Sequence, residues 1–267
     1  MLPMQKGTIT LSLVSHGQAM LTERLLADLA ELAYPAIDKL IFTVNIPEAL
    51  PALEALPFPV EIVRNPRPLG FAANHNQAFA RTTSEFFAVL NPDLRLDRNP
   101  FPALIAGLAD PRVGVVAPLV LEPDGQVADF ARRLVSPWEV IRRRLAPDRN
   151  RTRSDARAGV STGLAHPDWL AGMFLVLRSK TFADLGGFDT RYVLYCEDVD
   201  LCARIRLRGM RLEVVREAVV THLAQRASRR SLRPMMLHVS SLFKFWSSPV
   251  YSSYRLLLRN EGGDHAE

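Results

Sequence analysis

Cysteine is scarce in this sequence: Cys196 and Cys202 are the only two in 267 residues. Two cysteines do not make a disulfide framework, so a reducing cytoplasm is the expected setting. They have five residues between them and no second pair, which is not a zinc-site spacing. No apolar run approaches the ~20 residues that cross a bilayer. The opening MLPMQKGTITLSLV runs straight into strand-like sequence, without the pattern of a cleaved leader. Internal repeats are also lacking. Acids are missing altogether from Ala218 to Asn260, where Arg226, Arg229, Arg230, Arg233, Lys244, Arg255 and Arg259 accumulate. A second basic run, Arg132 to Arg157, sets nine arginines against Glu139, Asp148 and Asp155. With a net charge of only +5, this asymmetry points to an anionic partner: a phosphate-bearing small molecule, nucleic acid or an anionic membrane surface. The basic runs contain no recognised nucleic-acid module, so nucleic acid is not an expected partner.

What is present suits a soluble globular chain, with 48% hydrophobic and 23% charged residues. The length allows one sizeable core with an appendage. The first half alternates β-rich runs (8–14, 39–44, 60–64 and 85–90) with helical patterns, among them Leu21, Leu25, Leu29 and Leu32. A further helix is expected in GFAANHNQAFART, with Gly70 at its start. This alternation predicts a mainly parallel sheet flanked by helices. Ligands of such sheets sit beyond the strands' carboxyl ends, here Ser15-His16, Asn45, Asn65 and Asn91-Pro92-Asp93. Beyond residue 112 the rhythm changes. VGVVAPLVLEPDGQV reads as a hairpin around Asp124-Gly125, 142–166 as a mobile loop, and 173–178 as a strand. Ser179 is expected to cap a short helix ended by Gly186-Gly187.

Four constellations could carry chemistry. In FAVLNPDLRL an apolar strand ends in Asn-Pro-Asp; Asp93 there either serves a turn or holds a divalent cation through oxygen. In RNPRPLGFAANHNQAF, the amides at a helix start can meet a phosphate, with Asn74 as the side-chain contact, or the stretch is an ordinary loop. In YVLYCEDVDLCAR, Glu197, Asp198 and Asp200 open a helix, where the dipole favours acids. The apolar run before them would leave an acid partly buried, with a raised pKa suited to a general base. His222 after EAVVTH reads as a hydrogen-bonded structural residue or as a neutral nitrogen ligand beside Asp93.

In their order, NPRPLGFAANHNQAF, VLNPDLRL, LAGMFLVLRSKTFADLGGFDTRYVLYCEDVDLCARIRLRG and VVTH resemble the inverting glycosyltransferases of family 2. The resemblance is closest to the rhamnosyltransferase-like branch of bacterial surface polysaccharide synthesis, including lipopolysaccharide. It implies an α/β GT-A fold, a Rossmann-like mixed sheet with a C-terminal helical appendage. A catalytic domain would span 1–225, with a nucleotide-sugar half (1–116) and an acceptor half (117–225), followed by a tail over 226–267. It further implies transfer of a sugar, with rhamnose favoured, from a nucleoside-diphosphate donor to a glycan or lipid-linked acceptor. Asp93 would bind Mg²⁺ or Mn²⁺, with His222 as a further metal contact. Asp198 would be the base and Glu197 its orienting neighbour. Ser15, Asn45, Arg64, Gly70, Asn74, Asn91 and Arg204 would face the donor.

The pattern departs in two places. The second strand is followed by VNIPEA, not an Asp-Asn-x-Ser-like turn, so Asn45 stands there without a carboxylate. The first strand ends VSHGQ rather than in a Tyr-Asn-like pair. These departures motivate an alternative, a non-catalytic nucleotide-sugar or glycan-binding protein on the same fold. In the tail, Leu232, Met235, Met236, Val239, Leu242, Phe243 and Trp246 form one apolar stripe on a helix. Such a helix either packs on the domain or makes a peripheral contact with the inner face of the plasma membrane. A homodimer is also compatible with the sequence.

Overall fold

A computed structural model describes residues 5–134, 136–137, 167–223 and 232–263. The loop expected over 142–166, most of the Arg132–Arg157 run, and Arg226, Arg229 and Arg230 lie outside the described residues.

β1 (Gln5–Ser15), β2 (Ile37–Val44), β3 (Val60–Arg64) and β4 (Ser84–Leu90) form the parallel half of an eight-stranded sheet. The near-continuous apolar runs of β1, β2 and β4 are buried on both faces, as a parallel sheet under helices requires, whereas β3 at the sheet's edge buries Val63 alone. α1 (Ala19–Leu32) and α2 (Phe71–Phe79) supply the crossovers, and α1 turns Leu21, Leu25, Leu26 and Leu29 inward. With β5 (Leu94–Arg95), β6 (Val113–Leu121), β9 (Phe174–Arg178) and β10 (Arg211–His222), the strand order is β3-β2-β1-β4-β9-β6-β10-β5. After β5 and α3 (Phe101–Gly107), β6 runs between two neighbours. These are β9, antiparallel to both β4 and β6, and β10, parallel to β6. The mixed sheet flanked by helices matches the expected GT-A architecture.

Two local expectations need correction. The turn at Asp124-Gly125 forms, with Gly125 at φ 79° and its N–H donating to the Glu122 carbonyl at 2.9 Å. The hairpin goes little further, because Leu121–Val127 is an isolated bridge. β10 lines one side of β6 and β9 meets the other at Val116, so the returning arm pairs only with the end of β6, where the Ala128 N–H donates to the Val120 carbonyl at 2.9 Å. Ser179 is the first residue of α4 (Ser179–Asp184) rather than its cap. Its hydroxyl donates to the Ser84 carbonyl at 2.7 Å, fastening the helix start to β4 instead. The stop at Gly186-Gly187 is as expected: both have positive φ, and the Gly187 N–H reaches back to the Phe182 carbonyl at 2.9 Å.

A short two-stranded ribbon, β7 (Ala131–Arg132) with β8 (Trp169–Leu170), precedes β9. α5 (Glu197–Leu207) leads into β10, and α6 (Leu232–Trp246) and α7 (Pro249–Gly263) close the chain. Phe245, Tyr251 and Tyr254 of the last two helices and their junction form a second apolar cluster with Tyr192, Cys196, Val199 and Ala203. The Tyr254 hydroxyl also donates to the Asp168 carbonyl at 2.6 Å. The tail helices therefore pack on the domain through α5.

Candidate active site

The carboxyl ends of β1 to β4 and the start of α5 meet along one edge of the sheet. At the end of β4, the Asn91 N–H donates to the Met173 carbonyl at 2.9 Å, and Pro92 ends the ladder. Asp93 then begins a reversal in which β5 pairs antiparallel with the end of β10, His222 opposite Leu94. The Leu223 N–H donates to the Asp93 carbonyl at 2.7 Å, and His222 Nε2 lies 3.1 Å from Asp93 Oδ2. The two side chains are only 15% and 11% exposed, and Asp93 Oδ1 is buried without a hydrogen-bond partner. Among the described residues no group of three or more His, Cys, Asp or Glu is assembled. The pair offers one oxygen and one nitrogen with a carboxylate oxygen to spare. That suits a hard divalent cation whose other positions come from ligand phosphates and water.

One residue before Met173, the Gly172 N–H donates to Asp198 Oδ2 at 3.0 Å. The Gly172–Met173 segment thus contacts both the strand end bearing Asp93 and the helix start bearing Asp198. Tyr195 and Cys196, immediately before α5, both adopt left-handed backbone, at φ 71° and 68°. Such conformations cost about 1–3 kcal/mol each in residues other than glycine and concentrate at functional sites. Here they turn the chain so that Glu197 and Asp198 open the helix. Asp198 Oδ1 accepts the Val199 N–H at 2.8 Å and Asp198 remains half-buried, whereas Glu197 is buried with Oε2 unpartnered. Burial raises the pKa of both, and the Asp198 charge adds to the rise at Glu197. Hydrogen bonds from Gly172 and Val199, and then the charge of Arg132, act in the opposite direction on Asp198.

Arg132 and His238 are the members of this neighbourhood that sequence reasoning missed. Arg132, at the end of β7, lies over the Trp169 ring at 5.0 Å. His238 on α6 packs against the Tyr195 ring with centroids 4.8 Å apart. Burial first, then the Arg132 charge, lower the His238 pKa, while Asp198 acts to raise it. The only sequence trace of His238 was a polar break in an apolar stripe. Arg132 had none beyond being one arginine in a run.

The expected donor-facing residues are placed unevenly. Ser15 is buried, its hydroxyl accepting from Thr22 Oγ1 at 3.2 Å. Asn45 Oδ1 accepts from Asn65 Nδ2 (2.8 Å) and the Leu69 N–H (2.9 Å), and Asn45 Nδ2 bonds the Leu69 carbonyl and His16 Nδ1. Asn74 accepts from Asn65 at 2.6 Å and donates to the same Leu69 carbonyl at 3.2 Å. These asparagines brace the loop between β3 and α2. Asn45→Asp should lose the donations to Leu69 and His16 and set a carboxylate against a carbonyl. A stability loss of about 1–3 kcal/mol is expected, read from the urea midpoint; an unchanged midpoint would remove the bracing role.

Gly70 also has a packing role. A Cβ there would lie 2.4 Å from the Val193 carbonyl oxygen and 2.8 Å from Val193 Cα. The first helical amide, Phe71 N–H, donates to that carbonyl at 3.0 Å, so it is already occupied. Gly70→Ala should therefore cost about 1–3 kcal/mol, measurable by denaturant titration; a wild-type transition would show that the segment yields freely. Arg64 is exposed at the end of β3. Arg204 Nε instead donates to Asp200 Oδ2 at 2.6 Å and its Nη1 to the Leu185 carbonyl at 2.8 Å. Asp200, expected to be a simple first-turn acid, is buried and holds this internal ion pair. Cys202 is fully buried, its thiol pushed up to about 12 by burial, and both cysteines are free. Neither is a nucleophile at neutral pH.

The family model Glycosyl transferase family 2 matches residues 43–169, spanning the asparagine loop and Asn91-Pro92-Asp93. That match and the fold liken the chain to glycosyl transferase family 2 on a GT-A fold. It is 30% identical over 196 residues to an N-acetylglucosaminyl-diphospho-decaprenol L-rhamnosyltransferase of Mycobacterium tuberculosis, covering 66% of this chain and 59% of that one. It is 38% identical over 79 residues to the rhamnosyltransferase WbbL of Escherichia coli, covering 29% of this chain and 30% of the relative. The chain thus spans 59% of the length of the first relative and 30% of the second. Among solved structures it is similar to a mannosyltransferase of Pyrobaculum calidifontis in complex with GDP-Man and Mn²⁺. That likeness has a TM-score of 0.57 at 14% identity, over 98% of this chain and 77% of that one. GalNAc-T7 with UDP, GalNAc and Mn²⁺ gives a TM-score of 0.60 at 15% identity, over 82% and 43%. At these identities the structures speak to the fold alone.

Proposed function

We propose that this chain is an inverting glycosyltransferase of family 2. It moves a sugar, with rhamnose favoured, from a nucleoside-diphosphate donor to a glycan or lipid-linked glycan acceptor. One observation carries the reading: Asp93–His222 and Glu197–Asp198 are held on the two sides of the Gly172–Met173 segment, at the sheet edge where such folds bind ligands. Asp198 removes the proton from the acceptor hydroxyl as that oxygen attacks the anomeric carbon. The bond to the diphosphate oxygen breaks on the opposite face, which inverts the configuration. Burial keeps the Asp198 pKa above the usual carboxylate value, and Glu197, buried beside it, orients it or contacts the acceptor. Asp93 and His222 would hold Mg²⁺ or Mn²⁺, which offsets the charge left on the departing nucleoside diphosphate. The rhamnosyltransferase names of two relatives, one with a diphospho-decaprenol acceptor, support the sugar and the lipid-linked acceptor.

A donor-consumption assay with dTDP-rhamnose and other nucleotide sugars, with Mn²⁺, tests the reading. Release of nucleoside diphosphate that depends on an acceptor is expected. A second reading, a binding protein on the same fold, is favoured by Asn45, whose side chain is committed to Leu69, Asn65 and His16. Donor binding without any consumption would establish that reading instead.

A further inference from the structure

α6 packs one face inward and leaves the other bare. Ser241 donates to the Leu194 carbonyl at 2.8 Å, Phe245 is buried, and Leu242 and Trp246 are partly buried against the second apolar cluster. The stripe read from sequence therefore divides. Met236, Val239 and Phe243 are 69%, 57% and 73% exposed. At helical spacing, Met236, Phe243 and Ser247 lie along one line, with Val239 on one flank and Lys244 on the other. That line ends in an open pocket of about 410 Å³ lined by Arg191, Tyr192, Lys244, Ser247, Ser248 and Pro249. Lys244 Nζ donates to the Arg191 carbonyl at 3.0 Å, and Arg191 pairs with Asp189, both cationic side chains remaining largely exposed.

A row of exposed apolar side chains running into a basic pocket is the pattern of a helix lying in a bilayer interface. We propose that this face of α6 docks on the surface of an anionic phospholipid bilayer. Met236, Val239 and Phe243 enter the acyl boundary, and Lys244 and Arg191 meet the lipid phosphates. Charge decides between a bilayer and a second copy of the chain. The stretch from Ala218 to Asn260 contains no acid, so pairing it with itself would set like charges together, whereas an anionic leaflet complements it. The inference goes beyond sugar transfer and does not depend on it.

The full chain is sedimented with vesicles of phosphatidylcholine containing about one third phosphatidylglycerol, and with phosphatidylcholine alone. It should pellet with the anionic vesicles and stay largely in solution with the neutral ones. The double variant M236Q/F243Q should bind at least about tenfold more weakly, because two large apolar side chains no longer leave water. Lys244→Glu should also weaken binding, most at low salt. Met236 and Phe243 are exposed, so circular dichroism and melting of M236Q/F243Q should match wild type. In Phe243→Trp, tryptophan emission should shift to the blue when anionic vesicles are added. Three results would overturn the proposal: wild-type protein left in solution with anionic vesicles, unchanged binding of M236Q/F243Q, or a dimer by light scattering that M236Q/F243Q dissociates.

Discussion

Asp198→Asn is expected to lower the rate of transfer by about 10³-fold, the scale of a lost general base, while donor affinity stays near wild type. The amide keeps the shape of the carboxylate, but the Gly172 and Val199 N–H groups donate to different oxygens of Asp198, so the single amide oxygen retains one of these bonds and a modest loss of stability accompanies the substitution. What disappears is the capacity to take a proton from the acceptor hydroxyl. Calorimetric titration of the nucleoside diphosphate against variant and wild type separates binding from turnover; equal turnover in the two would remove Asp198 as base. The same assignment predicts a pH profile. Burial raises the pKa of Asp198 and Glu197, and their mutual repulsion ensures that the pair ionises in coupled steps. Transfer needs Asp198 deprotonated, so kcat/KM should rise with pH through an apparent pKa above the ordinary carboxylate value. An acid limb at the usual value of about 4 would contradict this.

Asp93→Ala is expected to lower transfer by about 10²-fold or more, comparable to removing one group that stabilises transition-state charge. Unlike the base variant, it should also lose metal-dependent donor binding. Among the described residues, its Oδ1 is buried and unpartnered and Oδ2 meets His222, so no described group fully neutralises this carboxylate. A buried carboxylate in that state is costly unless something else binds it. The alanine variant should therefore fold at least as stably as wild type in the absence of metal, while no longer responding to Mn²⁺ in a thermal shift. A full rate in EDTA, or a Mn²⁺-dependent shift retained in Asp93→Ala, would move the metal elsewhere. The two variants thus fail in different ways, one in turnover with binding kept, the other in both.

The ends of the elements were legible because they depend on local chemistry. β3 is observed over 60–64 as its β-branched run predicts, and Gly70, Glu197 and Gly186-Gly187 mark the starts and stop that their backbone preferences require. The alternation of strands and helices gave the parallel half of the sheet and put Asn45, Asn65 and Asp93 at the carboxyl ends of its strands. The hairpin at Asp124-Gly125 was local chemistry too, and its turn forms. Its second arm stays short because β10 and β9, distant in sequence, flank β6 and leave only its end open to pairing.

Side-chain partnerships across the chain were a different matter. Asn45 reads as a ligand contact in a linear pattern, yet Leu69, Asn65 and His16 take its hydrogen bonds once β2, β3 and α2 are assembled. Arg204 reads as a phosphate contact, but Asp200 one turn before it takes its Nε and the Leu185 carbonyl its Nη1. Arg132 and His238 reach the acid pair only because the short β7–β8 ribbon and α6 fold over α5. By itself the sequence determined the periodicities, the breaks and the residue types placed at the strand ends, since each is set within a few residues by backbone sterics and side-chain spacing. Only the tertiary structure decided which of those polar groups stay free to meet a ligand. A buried polar atom takes whatever partner the packing brings within reach, and that partner can come from any distance along the chain.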